Sequence, residues 1–392
     1  MASPLTRLCT AGLLAYCSYS ICRAPLLPLY ARELGAGPSL IGFVVGASTL
    51  TGIALKLPAG ALSDLFGRRR LLIAGAIVFA VMPWTYVLVS TLAVLIVLRF
   101  LHGSATAIFG PVASASLSDV APPAGRGGWM SAYSTAQGTG QAIGPVLAGY
   151  MIAAGRYDAA FIMSGLIGLC VPFVVAGWPH SGPASAPVEA RRRWDEFKRG
   201  IAEVGSDRLV LVTSAAHASQ FVLNGMLNAF VPLYGRDVLG LSTTQLGWLF
   251  AIQTITTLTV RPAIGFLSDR AGRRWVIAAG LTICSAAVFA LSQAGAANVV
   301  VIVILVYAAG VAMTTAATSA FITDVTRRAR YGAAHGVFGT IYDIGDALGP
   351  IAGGLLVMSI GYRPMFRTMA AIAFAAAILF LIASRQRAPA LH

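Results

Sequence analysis

Apolar residues run through this chain in long blocks. Each block is about 20 residues, the length an α-helix needs to cross a bilayer, and short polar segments separate them. Twelve blocks predict twelve spans. In the first part of the chain they fall at roughly 8–30, 39–62, 71–90, 93–117, 129–153 and 158–178. In the second they fall at roughly 209–234, 242–266, 275–294, 298–322, 333–357 and 363–384. Between the sixth and seventh blocks the pattern lapses. Ser181 to Pro187 has the composition of a flexible linker, and Arg191 to Arg199 mixes cations with Trp194 and Phe197. The latter stretch reads either as a short amphipathic helix on the inner leaflet or as a solvated connection. The predicted architecture is an all-α membrane protein with twelve transmembrane helices in two pseudo-symmetric six-helix bundles. The bundles are 1–180 and 208–392, joined by a cytoplasmic linker at 181–207. The first block is followed by further spans and lacks a clear cleavage site, so it reads as a helix and not as a signal peptide.

The two bundles repeat one another in sequence. Gly60-Ala61-Leu62-Ser63-Asp64-Leu65-Phe66-Gly67-Arg68-Arg69-Arg70 recurs 205 positions later as Gly265-Phe266-Leu267-Ser268-Asp269-Arg270-Ala271-Gly272-Arg273-Arg274. The same shift carries Lys56 to Arg261, Asp119 to Asp324, and the run Gly140, Gly144, Pro145 to Gly345, Gly349, Pro350. One position less aligns Pro28 to Glu33 with Pro232 to Asp237. Internal duplication of this kind sets the fold before any single residue does. Glycine at every fourth position lets two helices approach closely, and neighbouring helices re-satisfy the backbone groups that proline frees. These six residues, Gly140, Gly144, Pro145, Gly345, Gly349 and Pro350, are assigned to hinges. Close packing alone is the other reading, and it does not explain why the run repeats so fully in both halves.

Composition supports the membrane assignment. Of 392 residues, 57% are hydrophobic and 11% charged, where a soluble domain carries about 25% charged residues. The net charge of +14 raises nucleic acid as a partner, but its distribution argues against one. Most of the 28 Lys and Arg residues fall in segments that the span order puts on one side, whereas Arg32, Arg156, Arg236, Arg363 and Arg367 fall on or near the other. The positive-inside rule then places both termini and the linker in the cytoplasm. Cys9, Cys17, Cys22, Cys170 and Cys284 are scattered through apolar helices without metal-ligand spacing, and buried free thiols are expected.

These residues point to one family. The two six-helix halves resemble the major facilitator superfamily, and Gly60 to Arg70 resembles its signature between spans two and three, repeated between spans eight and nine. Leu95, Arg99, His102 and Gly103 resemble its span-four motif, with His102 where Gln is usual. Gly140 to Gly149 resembles the span-five Gly-Pro signature associated with the proton-coupled antiporter, or exporter, branch. The resemblance implies alternating access, in which two rigid halves rock about a central cavity lined by spans one, four, seven and ten.

The loop signature also has a physical reading of its own. Asp64, Asp119, Asp269 and Asp324 sit at helix ends beside Arg68, Arg69, Arg273 and Arg274. Charge pairs and helix ends there can form in one state and break in another. These eight residues are therefore assigned to gating.

All acids but two fall in loops or at span ends. The exceptions, Asp343 and Asp346, lie deep in span eleven, while Arg23 and Arg99 lie within spans one and four. A charge at the centre of a span costs roughly 2.5–3.5 kcal/mol on insertion scales. Each such charge needs a partner or an aqueous cavity, so fixed ion pairs are one reading. Proton coupling through Asp343 or Asp346 is the other, because burial favours the neutral acid and a nearby cation the carboxylate. Arg99 matches a position that the resemblance links to proton coupling.

Polar residues also gather on single helix faces. Tyr19 and Arg23 do so in span one, His102 in span four, and His217, Gln220, Asn224 and Asn228 in span seven. With Gln141 and Tyr342 they form the expected substrate cavity. Interhelical hydrogen bonding is the alternative, and His102 and His217 each read equally as core histidines. No nucleotide-binding loop, catalytic nucleophile or metal constellation is present in the sequence, which argues against an enzyme. No cofactor is expected beyond a proton as coupling ion. A small-molecule substrate and the lipid bilayer are the expected partners, with a monomer as the default state. The function expected is proton-coupled efflux of small organic molecules across the cell inner membrane. Two alternatives remain: an organic-anion transporter with Arg23 and Arg99 as the clamp, and a membrane sensor that binds a ligand without moving it.

Overall fold

The computed structural model describes residues 3–178, 199, 203, 205–326 and 331–385. Most of the predicted linker at 181–207 therefore lies outside the described residues. The described chain is helical throughout. The first half contains α1 (Pro4–Ile21), α2 (Leu26–Glu33), α3 (Pro38–Phe66), α4 (Arg68–Val87), α5 (Leu92–Val120), α6 (Arg126–Ala153) and α7 (Tyr157–Ala176). The second contains α8 (Arg208–Asp237), α9 (Thr243–Ala271), α10 (Arg273–Leu291), α11 (Ala297–Val325), α12 (Tyr331–Ile360) and α13 (Tyr362–Ala383). Span one is α1 plus α2, and spans two to twelve are α3 to α13 in order.

Nine helices among the described residues are long and apolar enough to cross a membrane by composition: α3, α4, α5, α7 and α9 to α13. The full-length helices that miss this threshold, α1, α6 and α8, are rich in Ser, Thr, Gln, Asn and Gly. Large apolar side chains face outward across the surface, Phe173 at 75% and Phe266 at 72% exposure among them. A water-soluble protein would bury such groups, whereas a lipid-facing surface presents them at no cost. Cys170 is also exposed, against the expectation that every thiol is buried, because its side of α7 points away from the neighbouring helices. All five cysteines are free.

Span one is interrupted, where the sequence predicts an unbroken helix. Pro25 lacks an amide proton and its ring clashes with the preceding turn, so α1 ends at Ile21 and α2 resumes at Leu26. Arg23 sits in the break. Its amide bonds to the Ser20 carbonyl at 3.1 Å, and its carbonyl accepts from Leu27 N at 2.7 Å. The corresponding α8 runs through without interruption.

The repeat is visible in the packing. α1 lies against α6, and α8 against α12 in the same way. A Cβ on Gly140 would collide with the Leu13 carbonyl, and one on Gly345 with Ala218. Gly144 meets Cys17 and Gly349 meets Val222, with every pair related by the 205-residue shift. The glycines of the Gly-Pro runs thus seat α6 on α1 and α12 on α8, and both helices continue through Pro145 and Pro350. Between α3 and α4, and again between α9 and α10, a single glycine makes the turn. Gly67 has φ 91° and Gly272 φ 87°, a left-handed conformation open to glycine at little cost.

Candidate functional site

Between the halves lies a cavity of ≈ 530 Å³. α1, α3, α5 and α6 form one wall, and α8, α9 and α12 form the other. The repeat sets many of the lining positions. Tyr16 and Phe221, Tyr19 and Asn224, Arg23 and Asn228, Gln137 and Tyr342, Ser48 and Gln253, and Thr49 and Thr254 are related by the shift, and all line the cavity. The acids stand where this symmetry fails. Asp346 occupies the place of Gln141, and Asp343 the place of Gly138.

Both acids meet cations from the opposite half. Lys56 Nζ reaches Asp343 Oδ2 at 2.5 Å, and Arg23 Nη2 lies 3.6 Å from Asp346 Oδ2. Asp346 also accepts from Thr49 Oγ1 at 3.2 Å and Asn224 Nδ2 at 3.3 Å, and Gln253 Nε2 donates to Asn224 Oδ1 at 3.3 Å. Tyr342 lies 5.9 Å below Lys56, ring centroid to Nζ, and Tyr19 5.8 Å from the Arg23 guanidinium. Arg261, the counterpart of Lys56, forms no ion pair among the described residues, and the first half has Gly138 where its acid would be.

Of the expected cavity residues, Tyr19, Arg23, Asn224, Asn228, Gln141 and Tyr342 line it, as do Asp343 and Asp346. His102, His217, Gln220 and Arg99 do not, and their placement corrects the sequence reading. His102 is buried, with Nδ1 3.1 Å from Tyr86 Oη and its ring edge-on to Tyr19. His217 stacks on Phe338 at 4.9 Å and has Nδ1 3.3 Å from Thr318 Oγ1. Gln220 Nε2 donates to Tyr307 Oη at 3.5 Å. Arg99 is fully buried, bonding Ser48 Oγ at 2.6 Å and the Cys22 carbonyl at 3.5 Å. The break in span one supplies that carbonyl. Arg99 therefore holds the first half together and touches neither acid, and it does not join Arg23 in an anion clamp on the central cavity. Helical periodicity gathered these groups on polar faces, but neighbouring helices cover part of each face. Lys56, Gln137, Thr49 and Gln253 escape the sequence reading, although applying the 205-residue shift to the predicted lining would find Gln137.

Among the described residues, the ion pairs of the gating set lie within halves. Arg68 Nε bonds Asp119 Oδ2 at 3.0 Å, and Arg273 Nε bonds Asp324 Oδ2 at 2.8 Å. Arg273 Nη2 also lies 3.3 Å from Asp269 Oδ1. Arg69 Nη2 donates to the Ala176 carbonyl at 2.7 Å, and its counterpart Arg274 bonds the matching Leu381 carbonyl. The Asp64 side chain lies outside the described ones. These pairs staple α4 to α5 and α7, and α10 to α11 and α13, so they do not bridge the cleft.

The halves meet tightly at the opposite face. A Cβ on Gly42 would fall on the Pro350 carbonyl, and one on Gly247 on the Pro145 carbonyl. Gly149 faces Thr243, and Gly354 faces Pro38, in the same symmetric fashion. Beyond them two repeated dipeptides exchange partners. Arg32 Nη1 bonds Asp237 Oδ2 at 2.6 Å, and Arg236 Nη1 lies 3.9 Å from Glu33 Oε1.

Comparison with known proteins agrees with this architecture. The family model described as Major Facilitator Superfamily matches residues 8–246 and 216–392. An uncharacterized MFS-type transporter, MJ1560, of Methanocaldococcus jannaschii is 24% identical over 371 residues, covering 91% of this chain and 92% of that protein. The multidrug resistance protein MdtH of Salmonella arizonae is 24% identical over 347 residues, covering 85% of this chain and 81% of that protein. Among solved structures, an inward-facing, unoccupied bacterial homolog of the human lysosomal transporter Spinster superposes with a TM-score of 0.84 at 16% identity. That match covers 97% of this chain and 96% of the other.

Proposed function

The chain belongs to the Major Facilitator Superfamily and is a secondary membrane transporter, not an enzyme, and from that premise we propose that it exports small organic molecules in exchange for protons by alternating access. The observation that carries this reading is the 2.5 Å contact between Lys56 Nζ and Asp343 Oδ2 inside the cavity. It joins opposite halves, so relative motion of the halves strains it. Proton uptake by Asp343 cancels its charge and releases Lys56. One residue thereby couples a proton to the motion. Tyr16, Tyr19, Tyr342, Asp346 and Arg23 are the other titratable or charged groups that line the cavity with this pair among the described residues.

The charge distribution supports cytoplasmic placement of the basic loops and of both chain ends. With that placement, the Gly42–Pro350 and Gly247–Pro145 contacts close the halves together at the outer face. Export gains support from the multidrug resistance relative.

The test is reconstitution of the full chain in vesicles that hold a pH-sensitive dye, followed by a panel of organic compounds under an imposed pH gradient. Compound-dependent proton movement is expected. A panel that moves without protons, or moves only down its own gradient, defeats the proposal.

A further inference from the structure

The cavity wall is divided by charge. Among the described residues, the first half lines it with Arg23 and Lys56 and with no acid, and the second half lines it with Asp343 and Asp346 and with no cation. The lining cations and acids balance, and both pairs run across the cleft. The 205-residue repeat does not impose this arrangement. At three of the four positions where it would place an acid or a cation on the other wall, the chain has Gln141, Gly138 and Asn228; at the fourth, Arg261 keeps the cation but does not line the cavity. The polarity is a departure from the duplicated pattern, confined to the site.

Charge balance constrains what can enter. A ligand with one cationic group can pair with Asp346 only by leaving Arg23 without its acid. A ligand with one anionic group leaves the acid stranded instead. Removing one partner from a poorly solvated pair is costly, because the remaining charge has lost both water and counter-ion. A ligand with both charges avoids this penalty, since its anion takes the place of an aspartate and its ammonium the place of a cation. Arg23 and Asp346, 3.6 Å apart, are the looser pair and the easier one to open. Tyr16, Tyr19, Phe221, Phe250 and Tyr342 complete the lining with apolar area on both walls. Five rings around two charged pairs suit an aromatic or apolar body larger than the charged groups themselves.

Resting on the transport reading only for the identity of this cavity as the substrate site, we propose that it takes compact amphoteric compounds. These carry one anionic group and one ammonium group on a single apolar or aromatic body. The anion lies toward Arg23 and Lys56, and the ammonium toward Asp343 and Asp346.

Matched compounds test this in the full-length protein. Phenylalanine, phenethylamine and 3-phenylpropionate share one body and differ in charge, and analogous trios are made on naphthyl and indole rings. Apparent affinity is read from ligand-dependent shifts in thermal unfolding in lipid nanodiscs. In the trios that bind, the doubly charged member is expected to bind at least tenfold more tightly than either singly charged one. Arg23→Gln should move the preference about tenfold toward the amine, and Asp346→Asn about tenfold toward the acid. The inference is overturned if a singly charged member binds as tightly as its amphoteric partner, if no compound in any trio binds, or if both variants keep the wild-type order. The wild-type series decides alone should a variant fail to fold. Proton-coupled flux without amphoteric preference would defeat this inference and leave the transport reading standing. Amphoteric preference without flux would do the reverse.

Discussion

Lys56 and Asp343 stand 287 residues apart in sequence and 2.5 Å apart in space, one from each half of the protein. The contact is a cross-half ion pair at a level where the other seam, between α6 and α9, packs Gly138 against Leu258. The two seams are related by the repeat, yet among the described residues only one carries an ion pair.

Breaking the pair should separate coupling from folding. Asp343→Asn is expected to reduce pH-gradient-driven flux to background while exchange of substrate across the membrane persists. It should also cost roughly 1.5–3 kcal/mol of stability, the range for a hydrogen bond to a charged group. A Lys56→Gln/Asp343→Asn double variant should recover most of that stability and none of the coupling. Thermal unfolding and vesicle flux on the same preparations check both halves of the prediction.

The exchanged dipeptides at the opposite face should act as a weak latch. Asp237 is 37% exposed and Glu33 52%, and exposed pairs contribute about 0–1 kcal/mol each. Arg32→Ala is therefore expected to shift the conformational balance by roughly fivefold or less toward opening of that face. Exchanging the charges as Arg32→Asp with Asp237→Arg should restore it. Labelling of a cysteine placed at Asn228, in a cysteine-free background, by an impermeant reagent added from that face reports the change.

Glycine at the seam should matter far more than the latch. Gly42→Leu or Gly247→Leu puts a side chain where the partner helix has a carbonyl, and backbone cannot move aside as a flexible side chain can. Each variant is expected to insert in the membrane, label strongly from the opposite face and lose transport. Gly128→Ala, at a position with nothing within 4 Å, serves as the control and should behave as wild type.

The basic-face staples predict loss of stability without a change of gate. Arg274 bonds Ser384 Oγ at 2.8 Å and the Leu381 carbonyl at the end of α13. Arg274→Ala should lower stability by roughly 1–3 kcal/mol and leave the labelling pattern of the Asn228 reporter unchanged. A shift in that pattern would show that these arginines work between the halves after all.

Much of the site could be read from periodicity and the repeat. Tyr19, Arg23, Asn224, Asn228 and Asp346 fall on polar faces of apolar helices, and those faces do line the cavity. The same rule misplaces His217 and Gln220. They share a face with Asn224, but aromatic residues of α11 and α12, Tyr307 and Phe338, close over that part of it. Arg99 fails for a related reason: it is held by Ser48 of α3 and by a backbone carbonyl released at the break before Pro25, and a hydropathy pattern reveals neither which helix will cover it nor where a helix will part.

Sequence alone fixed the spans, because a bilayer leaves about 20 apolar residues in helix as nearly the only way to satisfy a crossing backbone. It also fixed the two halves, which duplication writes directly into the chain, and the basic face. Tertiary structure decided which polar groups share one cavity, and that Lys56 faces Asp343 while its counterpart Arg261 pairs with no acid among the described residues. Those outcomes depend on how far each helix turns about its own axis. Close contacts such as Gly140 on Leu13 and Gly42 on Pro350 set that turn, and they act between residues far apart in the chain.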